Sequence, residues 1–70
     1  MNINNAVDKA FEGKSLKEIA NAPVDALQGL SEKDAKALKE ALGISTVADL
    51  ANNKFVKWAQ AIVALAESEE

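Results

Sequence analysis

Apolar residues recur along this chain at helical spacing, and the strict alternation that marks a strand is missing. Ile3, Ala6, Val7, Ala10 and Phe11 fall on one side of a helical repeat, with Asp8, Lys9 and Glu12 on the other. That spacing predicts a first helix, and Gly13 suits the left-handed position that closes it. Ser15-Leu16-Lys17-Glu18 has the form of a capping box and opens a second helix, with Leu16, Ile19 and Ala20 on its apolar face. Pro23 cannot extend that helix but suits the first turn of a short one reaching about Gln28. Gly29-Leu30-Ser31 then forms a tight hairpin, and Ser31-Glu32-Lys33-Asp34 caps the longer helix that follows. Ala35, Leu38 and Leu42 make its inner stripe, and Gly43-Ile44 ends it in Schellman fashion. Thr46-Val47-Ala48-Asp49 caps a short helix through Ala51, which Asn52 and Asn53 break. A last helix runs from about Lys54 to Glu67.

The apolar arc of this last helix is wide. Phe55, Val56, Trp58, Ala59, Ile62, Val63, Leu65 and Ala66 cover roughly half of its circumference. Phe55 and Trp58, at i and i+3, are read as core. The alternative is a partly exposed aromatic patch that anchors a partner, since Trp is enriched at binding hot spots. Val56 and Val63 extend the arc and are the candidate protein contacts. An internal echo runs through the same region. Ser15 to Asn21 aligns without a gap on Thr46 to Asn52, an offset of 31 residues, and Val24 then falls on Phe55 and Leu27 on Trp58. Each unit is a capped short helix feeding a second helix, and two units that cannot bury their apolar faces alone would share one core. Chance similarity between two capped helices is the alternative.

Seventy residues make one domain, near the small end of what folds without cross-links. The chain has no cysteine and no histidine, which excludes disulfides and a structural zinc site, so stability must come from packing. No run approaches the roughly 20 apolar residues that span a bilayer, and Met1 to Asn5 lacks the charged and apolar regions of a signal peptide. A cytoplasmic location is the expectation. The net charge of −3 comes from Glu67, Glu69 and Glu70 in an acidic tail, residues 67–70. The remaining eight acids balance eight basic residues, all of them lysine. A basic stripe and the arginines that read guanine or grip phosphate in two places are both missing, which weighs against sequence-specific DNA recognition.

Catalysis has little to work with. General acid–base or nucleophilic chemistry would fall to carboxylates, lysine or serine. The carboxylates lie on polar helix faces or in the tail, and caps account for the hydroxyls other than Ser68. The three glycines each mark a turn and form no phosphate loop. No enzyme activity, cofactor, metal or small-molecule substrate is expected.

The run from Val24 to Leu50 resembles the helix-hairpin-helix family. Val24 and Leu27 precede the hairpin Gly29-Leu30-Ser31, and Ala35 and Leu38 follow at the family's spacing. Ser15 to Leu38 is similar to the N-terminal helical domain of archaeal and eukaryotic recombinases. Gly43 to Leu50 is similar to the C-terminal domain of the RNA polymerase alpha subunit. The resemblance covers about Ser15 to Leu50. It implies a hairpin whose amides, with the following helix N-terminus, can hold a DNA phosphate. Gly29, Leu30, Ser31, Lys33 and Lys36 are then the candidate nucleic-acid contacts. Ser31 departs from the pattern, because DNA-binding members usually carry a second glycine there. Its side chain intrudes on the approach, its hydroxyl takes up an amide as an N-cap, and Glu32 and Asp34 oppose the lysines.

The expectation is an all-α domain spanning residues 1–70, with its motif core at 15–50. About five short helices form two helix-hairpin-helix-like units around one core. The expected function is a non-enzymatic interaction or scaffold module that binds protein, either a separate partner or a second copy of itself. The alternative is weak, sequence-independent DNA binding through the 29–31 hairpin and its lysines.

Overall fold

The computed structural model describes residues 2–69, so Glu70 of the acidic tail lies outside the described residues. Four helices follow in order: α1 (Leu16–Ala20), α2 (Glu32–Leu42), α3 (Val47–Asn52) and α4 (Lys54–Glu67). Three single 3-10 turns at Ile3–Asn5, Lys9–Phe11 and Val24–Ala26 complete the regular structure, and the described residues hold no strand. The fold is therefore all-α.

Local chemistry sets the helix starts. Ser15, Ser31 and Thr46 each accept a hydrogen bond from the amide three residues on. Glu18, Asp34 and Asp49 return one from the cap backbone, closing three reciprocal capping boxes. Asn53 caps α4 by accepting from the Phe55 and Val56 amides. Gly43 sits at φ 70° and ends α2, donating to the Lys39 carbonyl while the Ile44 N–H reaches back to that of Leu38. Ile44 thereby turns inward and is fully buried.

Two predicted helices are not α-helical. Residues 3–11 break into two 3-10 turns around Val7, which forms an isolated antiparallel bridge with Leu27. Tertiary pairing overrides the helical spacing here: the Asp8 N–H donates to the Ala26 carbonyl at 2.7 Å, and the Gln28 N–H to that of Ala6 at 2.9 Å. The stretch after Pro23 is one 3-10 turn for the same reason. The Val24 N–H donates to the Ser45 carbonyl, and the Val47 N–H donates to that of Ala22. Pro23 and Thr46 make a second isolated bridge.

The buried core lies where these segments meet: Val7, Ile19, Ala22, Val24, Ala26 and Ile44. Among them only Ile19 belongs to an α-helix. The expected inner stripe of α2 is only partly covered, with Ala35 and Leu38 half-buried and Leu42 exposed. Leu16 on α1 is exposed as well. The short helices α1 and α3 pack against each other, and α4 makes its main contacts with α3. The molecule measures 44 × 30 × 19 Å with a radius of gyration of 13.7 Å. A compact chain of this length has about 11 Å, and the excess reflects α4 extending from the body.

Gly29 sits at φ +100°, and a Cβ there would meet no other atom. A substitution is therefore strained by the backbone alone. Gly29→Val is expected to destabilise the fold by more than the roughly 1 kcal/mol of an average substitution, and Gly29→Asn by less than Gly29→Val. Denaturant melts measure both, and a parent-like curve for the valine variant would refute the strain.

The caps also predict a response to acid. Hydrogen bonds from the Ser15 backbone and hydroxyl hold Glu18 below its ordinary 4.5. The Ser45 amide, then that of Thr46, holds Asp49 below its ordinary 3.8. A carboxyl lowered on folding contributes stability fully above its unfolded value and loses it as pH falls through the folded value. The melting temperature should therefore drop below about pH 4.5, and less steeply in the double variant Glu18→Gln, Asp49→Asn. An unchanged acid slope in that variant would show that these caps do not carry the dependence.

Candidate functional site

Two surfaces hold the residues that sequence reasoning singled out. The first is the hairpin before α2. Gly29 and Ser31 are exposed and Leu30 is half-buried, its N–H donating to the Leu27 carbonyl at 3.2 Å. The Ser31 hydroxyl accepts from the Asp34 amide at 3.1 Å, and the Asp34 carboxylate accepts from the Ser31 amide at 3.0 Å. Two amides at this helix start are thus already engaged by the chain's own side chains, one of them carrying full negative charge. An anion approaching along the α2 axis would have to displace that carboxylate.

Lys33 and Lys36 are exposed on α2 and line one open depression with Lys39, which sequence reasoning missed. The i, i+3, i+6 spacing of the three lysines on one helix was the available signal. Asp25 and Glu32 border the same depression, with Ile44 and Ser45 at its floor. The patch is electrically mixed, and its geometry offers at most a few cationic contacts.

The second surface is α4. None of its residues is fully buried. Phe55 and Trp58 are 52% and 57% exposed, so the assignment of these aromatics to the core is corrected. The physical reason is geometric: α4 follows Asn53 and makes its main contacts with α3, which leaves its aromatic side open. Val56 is the half-buried residue of the helix, and Val63 is exposed. Of these two candidate contacts, Val63 faces solvent while Val56 is partly covered by the body.

The exposed stripe itself consists of Phe55, Trp58, Ile62 and Leu65, with exposures that rise to 71% at Leu65. The two rings stand edge to face, 5.7 Å apart at 84°. The Lys54 ammonium lies 5.2 Å from the Phe55 centroid and 5.7 Å from that of Trp58. A cation held over two rings is a favourable surface arrangement. The spacing of the stripe, three, four and three residues, was present in the sequence. It was hidden because the apolar arc was read as one continuous inner face.

Chemically, this surface can bury apolar area against another apolar surface and can do little else. No helix among the described residues is long and apolar enough to cross a membrane. Comparison of the chain with protein-family models, with curated proteins and with solved structures returns no match.

Proposed function

We propose that this chain is a non-enzymatic interaction module that binds protein through the exposed apolar face of α4, within an architecture of two helix-hairpin-helix-like units. The observation that carries the reading is the stripe Phe55, Trp58, Ile62 and Leu65, each more than half exposed on one helix. Large aromatic and branched residues gathered on one helix face are what a partner groove uses as anchors. Scattered apolar residues on a surface need no explanation, but a contiguous rank of four does.

The test separates folding from binding. Trp58→Ala is expected to stay folded and to cost well under the roughly 3–5 kcal/mol of a buried aromatic, whereas Ile44→Ala should cost about 2–5 kcal/mol. Adding a leucine-rich amphipathic helical peptide should shift the emission of Trp58, the only tryptophan, to the blue, and Ile62→Glu should abolish the shift. Unfolding of the Trp58 variant would return that residue to the core and remove the reading.

The lysine row of α2 favours a second reading, sequence-independent DNA binding through Gly29, Leu30, Ser31, Lys33 and Lys36. The capping box and the bordering Asp25 and Glu32 argue against it. With at most two phosphates neutralised, log affinity should fall with log salt at a slope no steeper than about −1.8. Binding to duplex should be weaker than the ~10⁻⁴–10⁻⁶ M of non-specific binders at physiological salt. Titration of labelled duplex at low and physiological salt measures both. Micromolar binding that vanishes on replacing Lys33 and Lys36 with glutamate would establish the DNA reading.

A further inference from the structure

We infer that the partner of the α4 face is a second copy of this chain, paired antiparallel along α4; the inference rests on the interaction reading above. Three observations carry it. The first is the pattern. Phe55, Trp58, Ile62 and Leu65 follow one another at spacings of three, four and three residues, the a and d positions of a coiled-coil heptad. The positions that flank this seam are occupied by Ala59, Ala61 and Ala66, all exposed and small enough to let two helix backbones approach closely. A helix laid in a groove of another fold presents i, i+3 and i+7 anchors as well; it is the small residues on both flanks that suit the close approach of two like helices.

The second observation is area. The chain exposes 5399 Å². A compact monomer of 7.4 kDa exposes about 4,200 Å². The excess, about 1,200 Å², is of the size that one partner of a specific interface covers, about 800 Å². Most of the large exposed apolar residues sit on α4: Phe55, Trp58, Ile62, Val63 and Leu65, against Ile3, Leu16 and Leu42 elsewhere.

The third observation is charge, and it selects the orientation. Lys54 stands at the start of α4, and Glu67 and Glu69 stand at its end, where the Ser68 and Glu69 amides continue the turn by donating to the Leu65 and Ala66 carbonyls. Parallel pairing would set Lys54 beside Lys54 of the second copy and Glu69 beside Glu69. Antiparallel pairing with Phe55 opposite Leu65 of the second copy, and Trp58 opposite Ile62 of the second copy, does the reverse. In that register Lys54, whose ammonium lies over the Phe55 and Trp58 rings, falls opposite Ala66 of the second copy, which brings Glu69 of the second copy within about one helical turn of it. The two-fold axis makes that pair twice.

Sedimentation equilibrium from micromolar to millimolar chain is the first measurement, with a shift from 7.4 kDa toward twice that mass expected. Lys54→Glu and Glu69→Lys should each weaken the dimer by about tenfold, because symmetry repeats the reversed pair. The double variant should restore it. Neither change touches the buried core, and an acid at the start of a helix with a base at its end suits the helix dipole. The chain has no cysteine, so Ser68→Cys carries a single spin label. The two labels should lie about 24 Å apart along the axis in the antiparallel dimer, from 16 residues of rise, and adjacent in a parallel one. Adjacent labels, or no rescue in the double variant, overturn the proposed geometry. A chain that stays monomeric at millimolar concentration, while the helical peptide still shifts Trp58, overturns self-pairing and leaves the interaction reading standing. Failure of the peptide as well removes both.

Discussion

The segment from Ala22 to Gln28 holds this molecule together. It is clamped on both sides by backbone hydrogen bonds, to Ser45 and Val47 on one side and to Ala6 and Asp8 on the other. Ala22, Val24 and Ala26 within it are buried, and Val24 is completely covered. Burial in turn shields those bonds from water, and a backbone group left unpaired there would be costly. Residues C-terminal to Gly43 are tied to the N-terminal half by backbone hydrogen bonds through this segment, beside the direct packing of α3 on α1. Ile44, buried beside it, fills the space that the turn at Gly43 opens.

Among the described residues a core of six, two of them alanine, leaves the helices only lightly anchored. α2, α3 and α4 contribute no fully buried residue. Their stability rests on caps and on one partly covered face each, and caps contribute about 1 kcal/mol apiece. Nine hydrogen bonds link side-chain caps at Ser15, Ser31, Thr46 and Asn53 and their acidic partners to backbone amides. In a chain with so little interior, this local chemistry is a large share of what favours the fold. It also explains why apolar residues can be spent on the surface of α4. The core closes without them.

How much of this was legible in the sequence follows from the range of each interaction. The capping boxes at Ser15, Ser31 and Thr46 and the glycine turns at Gly29 and Gly43 need only residues within a few positions, and all were readable. The stretch Ile3 to Phe11 was misjudged because its helical spacing competes with pairing to Ala26 and Gln28, some 20 residues away, and a single bridge leaves no alternating pattern to detect. Trp58 was misjudged for a related reason. An apolar arc tells which side of a helix avoids water, but not whether the rest of the chain reaches it. At the candidate sites the same division holds: Ser31 as a cap was legible, while the position of Val56 against the body and of Val63 in solvent depended on where α4 leaves α3.

The separation between clamp and stripe has a functional consequence. The residues that close the core, Val7 to Ile44, all precede α3, and the exposed stripe begins at Phe55. The Asn53 cap and the contact with α3 join the two. Changes along the stripe therefore fall on exposed side chains away from the clamp, and changes at the clamp fall on buried ones. The hairpin at Gly29 sits on the opposite side of this division. Its capping box serves the start of α2 and engages two of the amides there, while the helix that the core does not need leaves its apolar stripe open.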